Sequence, residues 1–321
     1  MHTRLHGASW RRHRLLNVLQ SLLLVGAMAV ILGGLGWVLA GADGIAWALI
    51  GGALLVLFNP GVSPRLVLQM YGARPLDPHQ APELHALVGS LAQRAELPAT
   101  PALHYVPSQM LNAFAVGSRH HSAIAITDAL VRGLSPREVA GVLAHEISHI
   151  RHNDMWVMGL ADMFSRLTSL FSSLGQILLL LYLPLLLLSG YSLSWTTIFI
   201  LVFAPTLSAI MQLALSRTRE YDADLGATRL TGDPRGLAMA LEKLERFQGR
   251  FFEQIFLPGR RLPEPSLLRT HPPTQERIRR LLELETELTP QPHPPGISPL
   301  ATADFPQIGR RPRWRMNGLW Y

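Results

Sequence analysis

The chain has 321 residues, enough for one large domain or two small ones, yet only 16% of them are charged, against roughly 25% in ordinary soluble domains. Mean hydropathy is +0.20, which points to membrane spans, and the absence of cysteine excludes disulfides and thiolate metal sites. The formal charge of +7 rests on arginine, Lys243 being the sole lysine. Such a balance fits either nucleic-acid binding or arginine retained on the cytoplasmic side of a membrane, and the placement of the charges decides.

Residues 1–14 carry Arg4, Arg11, Arg12 and Arg14 and no acid, and residues 15–40 then carry no charge. That run is long enough to cross a bilayer, and longer than the apolar core of a secretory signal peptide. Gly41-Ala42-Asp43-Gly44 reads as a turn, and a second span over about 44–60 follows, with Pro60 ending its helix early. Residues 65–166 read as water-soluble. Ala81-Pro82-Glu83-Leu84 opens a helix with apolar positions Leu84, Leu87, Val88 and Leu91 at helical spacing. Three short β-like runs, 103–106, 112–116 and 122–126, predict a small sheet of three strands.

Thr127-Asp128 and Ser135-Pro136-Arg137-Glu138 are helix starts, the second a full capping box with Pro at N1. The helix from Pro136 carries His145-Glu146-Ile147-Ser148-His149, an H-E-x-x-H pattern. Residues four apart share a helix face, so His145 and His149 can ligate one metal ion. Glu146, one residue on, is the candidate general base for a water at the metal's open position. The polar residues from Arg137 to Asp154 rule out burial of this helix in a bilayer.

Residues 167–216 carry no charge, which fits two further spans joined by a turn at 189–195, with Pro184 and Pro205 expected to kink them. Neither expected hairpin turn holds Lys or Arg, whereas the opposite flanks do. The N-terminus, residues 65–166 and everything after Arg217 are therefore expected in the cytoplasm, which accounts for the basic balance and disfavours nucleic acid. Further helices are expected through Leu230, over 234–248 and over 277–288. From Thr289 the chain is Pro-rich and aperiodic, and reads as a disordered tail.

A catalytic zinc normally has three protein ligands. His152 is one turn from His149 but reads as an exposed helix residue. Asp154 and Asp162 read as sharing the motif helix, which makes a tetrahedral site hard to close. Glu220 is the first glutamate after Glu146 and has Asp224 four residues on, on the same face. One carboxylate can go to the metal and the other to a ligating histidine's second N–H. The competing reading of this stretch is an acidic turn paired with Arg217 and Arg219; the H-E-x-x-H favours the ligand.

The residues at this point resemble a known family. Ala81-Pro82-Glu83-Leu84, Asn112-Ala113-Phe114-Ala115, the stretch Leu143 to His149, Ser216 to Asp224 and His271-Pro272-Pro273-Thr274-Gln275-Glu276-Arg277-Ile278 are similar, in order, to HtpX-type integral-membrane zinc metallopeptidases. That family is related to the CAAX prenyl endopeptidases. The resemblance covers about 71–284. It implies one zinc per chain on His145, His149 and Glu220, with Glu146 as base and Asp224 behind the ligands. It also implies that Asn112, Ala113, Phe114 and Ala115 form the edge on which a substrate strand pairs. His271 becomes a candidate donor to the developing oxyanion, and Arg277 a residue that holds it.

The expected fold is mainly α (α+β): four transmembrane helices plus a cytoplasmic zincin-type peptidase domain with a small sheet. The expected organisation is a basic N-terminus and first hairpin over 1–64, peptidase parts over 65–166 and 217–288, a second hairpin over 167–216, and a tail over 289–321. The expected activity is cleavage of membrane or misfolded proteins on the cytoplasmic side of the inner membrane. The partners would then be protein substrates and the bilayer, with no nucleic acid. Glu220 lies about four residues past the fourth span, so at about 1.5 Å per residue the metal is expected near the membrane surface. A prenyl-protein protease, a signalling protease and a non-catalytic membrane protein with a structural zinc site are the alternatives. The two short outer loops leave no sensor domain, and the spans hold no charge for transport.

Overall fold

The structure, a computed structural model, describes residues 7–57, 63–189, 194–254 and 274–287. In chain order the elements are α1 (Gly7–Leu57), α2 (Pro64–Met70), β1 (Arg74–Pro75), α3 (Pro82–Arg94), β2 (Ala102–Val106), β3 (Ala113–Gly117) and β4 (Ser122–Thr127). They continue with α4 (Asp128–Gly133), α5 (Pro136–His152), α6 (Asp154–Ser189), α7 (Trp195–Thr231), α8 (Pro234–Gln254) and α9 (Thr274–Glu287). They divide into two compact units, one holding His6–Gly61 and Trp156–Thr218, the other Val62–Met155 and the described residues from Arg219 onward.

In the first unit, three helices are long and apolar enough to cross a membrane: Val18–Leu54, Asp154–Leu185 and Trp195–Thr231. The longest is not straight. Ala40 (φ −146°, ψ 25°) and Gly41 (φ 61°, ψ −142°) leave helical geometry, Gly41 in the left-handed region open to a residue without a Cβ. Beyond that break the chain folds back. The backbones of Gly36 and Gly44 touch, and a Cβ on Gly52 would lie 3.9 Å from Leu32 Cδ2, although an unbroken helix would hold residues 32 and 52 about 30 Å apart. The break, at Ala40 and Gly41, falls at the start of the expected turn at 41–44, and Pro60 lies outside the described residues.

Proline does not break the other two helices. Pro205 lies inside α7 without ending it, although it has no N–H to give the carbonyl four residues back, that of Leu201. That carbonyl is satisfied from α6 instead: Ser172 Oγ donates to it, and so does Gln176 Nε2 at 3.1 Å. Ser165 and Ser208 hydroxyls meet at 3.2 Å in the same interface. Side chains thus replace the missing backbone bond where water has no access. Both helices overrun the expected spans, since the helical hydrogen bonds continue through the charged residues that bound the apolar runs.

The second unit is built on a four-stranded sheet in the order β1-β2-β4-β3. Strand β4 pairs parallel with β2 and antiparallel with β3, Ala115 lying opposite Ile124. Three of these strands match the sequence reading to within about a residue at each end. The fourth, β1, is two residues long and contains Pro75, so it has neither the length nor the alternation that marks a strand. Leu103, Ile124 and Ile126 on one sheet face pack with α3 and α5 through Leu84, Leu143 and Ile147, all nearly inaccessible to solvent.

Helix α5 starts as its sequence dictates. Ser135 accepts from the Glu138 N–H, and the Glu138 side chain returns the bond to the Ser135 N–H at 2.7 Å. Glu138, fully buried, also takes Lys243 Nζ of α8 at 2.7 Å. The end of α5 differs from the expectation. Asn153 adopts a left-handed conformation (φ 57°, ψ 35°) and caps the helix, a geometry that asparagine tolerates better than most residues. Asp154 and Asp162 therefore belong to a new helix, not to the motif helix. The tail from 289 lies outside the described residues.

Candidate active site

Helix α5 presents His145 and His149 one turn apart, with their Nε2 atoms 3.1 Å from each other. Glu220 arrives from α7, its Oε2 3.4 Å from His145 Nε2 and its Oε1 3.7 Å from His149 Nε2. These three side chains offer ligand atoms within 4.8 Å of one another. Glu220 is 6% exposed, which removes the reading of an exposed acidic turn.

Behind each imidazole stands a carboxylate. His145 Nδ1 faces Asp224 Oδ1 at 3.0 Å, and His149 Nδ1 faces Asp154 Oδ2 at 2.9 Å. A carboxylate accepts and does not donate, so His149 Nδ1, hydrogen-bonded to Asp154, carries its ring's proton, and His145 Nδ1 is the nitrogen turned to Asp224. The two Nε2 atoms then turn bare lone pairs on one another at 3.1 Å, an arrangement that calls for a cation between them. Ligand bonds of 2.0–2.1 Å in a tetrahedral site separate donors by about 3.3 Å. The donor set and its spacing fit a metal ion.

Each carboxylate is in turn paired with a buried or largely buried arginine. Arg277, 4% exposed on α9, donates Nε to Asp224 Oδ2 at 2.8 Å and Nη2 to Oδ1 at 2.6 Å. Its Nη1 lies 2.9 Å from Glu220 Oε2. Arg219, the residue before Glu220, donates Nη1 to Asp154 Oδ1 at 3.2 Å. Burial pushes the Asp224 carboxyl up, but the charge and hydrogen bonds of Arg277 outweigh this and hold it below its ordinary range. Burial pulls His145 down, but Asp224 and Glu220 overcome it and raise the metal-free imidazole to about 10.

Glu146 points its carboxylate towards strand β3, where Oε2 accepts the Ala115 N–H at 2.9 Å. Burial raises its carboxyl, and the two histidines draw it back. Because Ala115 N–H is turned to Glu146, it points away from β4, and the alternation of the strand sends the main chain of Ala113 and Gly117 the same way. Asn112 faces inward instead, its carbonyl accepting from the Thr127 N–H at 3.0 Å. Among the described residues β3 is an edge strand. The ring of Phe114 packs tilted against Tyr71, ring centroids 4.9 Å apart.

The structure thus brings together His145, Glu146, His149, Glu220, Asp224, Arg277 and Ala115. His271, and with it the expected contact of Arg277, lies outside the described residues; Arg277 clamps Asp224 and Glu220. His152 is half-buried rather than exposed, 3.4 Å from Ser148 Oγ. Asp154 and Arg219 are the site residues that sequence reasoning missed; the one available signal was Asn153, a residue suited to a left-handed break.

Residues 78–285 match the model of Peptidase family M48. A "Protease HtpX homolog" of Acaryochloris marina is 37% identical over 301 residues, covering 86% of this chain and 98% of that protein. A "Protease HtpX homolog" of Campylobacter concisus is 32% identical, over 85% of this chain and 99% of its own. The crystal structure of S. mikatae Ste24p aligns with a TM-score of 0.43 and 21% identity, over 87% of this chain and 66% of Ste24p. The matched region contains every residue of the histidine–carboxylate cluster, and the chain belongs to peptidase family M48, as a metallopeptidase.

Proposed function

We propose that the chain is a zinc-dependent endopeptidase of the inner membrane that cleaves membrane or misfolded proteins on the cytoplasmic side. The observation that carries it is the pair of bare Nε2 atoms 3.1 Å apart, closed by Glu220 and flanked by Glu146. Two nitrogens and one carboxylate are a donor set suited to zinc with one position left open. When bound, zinc supplies a Lewis acid and lowers the pKa of a water in that position. Glu146 takes the proton of the attacking water on a carboxylate oxygen and returns it to the leaving amine.

The substrate enters as an extended strand along β3. The outward main-chain groups of Ala113 and Gly117 and the Ala115 C=O offer the edge, with Asn112 and Phe114 turned to the sheet and the Ala115 N–H given to Glu146. This places a peptide backbone beside Glu146 without selecting its sequence. His271 completes the proposed site as oxyanion donor. The apolar spans and the absence of Lys and Arg from the expected outer turns support four crossings with the peptidase parts cytoplasmic. The test is cleavage of an unfolded reporter such as casein by the detergent-purified full chain, with zinc, with chelator and as Glu146→Gln. Cleavage by the zinc form alone is expected; cleavage by the Glu146→Gln form at the wild-type rate would refute the assignment.

A further inference from the structure

Asp154 is an acid that opens a membrane-length helix, yet it is 2% exposed. A favourable interaction with the helix N-terminus explains an acid there; it does not explain why that acid aims at His149. Had α5 continued, residue 154 would sit about 140° around the helix from His149 and out of reach of its ring. The left-handed Asn153 breaks the helix instead, and Asp154 Oδ2 lies 2.9 Å from His149 Nδ1. Its other oxygen receives Arg219 Nη1 at 3.2 Å. Arg219 precedes the ligand Glu220, so one turn of α7 supplies both a ligand and a brace.

The same sequence of groups stands behind the other histidine, where Asp224 faces His145 Nδ1 and Arg277 clasps Asp224. We propose that Asp154 and Arg219 form a second His–Asp–Arg relay, which positions His149 Nε2 for the metal as Asp224 and Arg277 position that of His145. The proposal rests on the metallopeptidase reading and adds two positioning residues to it. Each buried carboxylate carries its own guanidinium, which fixes the carboxylate behind its imidazole. The geometry leaves each ring turned with Nδ1 to its carboxylate and Nε2 to the metal position.

The test uses full-length protein in detergent, as Asp154→Asn, Arg219→Gln and Asn153→Gly. Asparagine still suits a helix start, so a purely local role predicts no change in metal binding from Asp154→Asn. The relay predicts zinc affinity about 10- to 100-fold weaker, measured by chelator competition. It also predicts a shifted visible band in the cobalt-substituted protein at saturating metal, because the ring is no longer held. Arg219→Gln should move both readouts in the same direction by less, and Asn153→Gly, which keeps the left-handed turn, should move neither. Unchanged affinity in both relay variants would overturn the proposal. So would weaker affinity with an unmoved cobalt band, which marks a general loss of stability. If Asp154→Asn does not fold, Arg219→Gln decides alone by the same two readouts. A wild-type chain that binds no zinc would instead defeat the metallopeptidase reading and the relay with it.

Discussion

Arg277 is the residue whose loss should be felt most. It is 4% exposed and lies between two buried carboxylates, with two contacts to Asp224 at 2.8 and 2.6 Å and one to Glu220 at 2.9 Å. Arg277→Met keeps most of the volume and removes the charge. Removing one partner of a buried pair costs about 3–5 kcal/mol, because the other charge stays behind. At 1.36 kcal/mol per decade that is an increase of about 10²- to 10³-fold or more in the open population. The metal-free histidines offset part of this, so the lower end is expected. Pulse proteolysis in detergent, in a Glu146→Gln background that prevents self-cleavage, reads that population. The pH dependence has a definite sign. Asp224 is held below its ordinary value, so its contribution is complete above the unfolded carboxyl value of about 3.9 and is lost as pH falls through the folded one. Without Arg277, burial reverses the shift, and the deficit of the variant should shrink as pH falls from 7 towards 4. A deficit below tenfold at neutral pH, or one that grows on acidification, would refute the reasoning.

Two further outcomes follow from the same geometry. Carboxylates raise both metal-free imidazoles above their ordinary value despite burial, His145 to about 10. A metal requires them neutral, so zinc binding at neutral pH should release protons and tighten as pH rises; calorimetry in buffers of different ionisation enthalpy would detect none if the idea is wrong. In the apolar unit, Ser172→Ala with Gln176→Leu should strip the Leu201 carbonyl of its donors and lower stability by about 1–3 kcal/mol. Adding Pro205→Ala to that pair restores an N–H four residues on and should recover stability in thermal unfolding; no recovery would contradict the account.

The features legible in the sequence were those fixed by short spacing. His145 and His149 share a face because helices repeat every 3.6 residues, Ser135 and Glu138 announce the helix that carries them, and Glu220 with Asp224 repeats the four-residue rule. The β3 edge was readable as a β run, though its place at the sheet margin required the pairing. What escaped was set by single backbone events. Asn153 turns one apparent helix into two, and with it moves Asp154 from an unusable position to the back of His149. The partners of Arg277 depend on how α9 docks, which no local pattern encodes, and β1 is too short to leave a signature.

The central claim is that His145, His149 and Glu220 hold one zinc ion while Glu146 works beside it without holding it. Metal content tests this most directly, measured by atomic emission on detergent-purified full-length protein loaded with zinc and then desalted. The account predicts one zinc per chain in the wild type and in Glu146→Gln, and substoichiometric metal in Glu220→Gln and His149→Ala. Equal zinc in all four proteins, or none in the wild type, would contradict it.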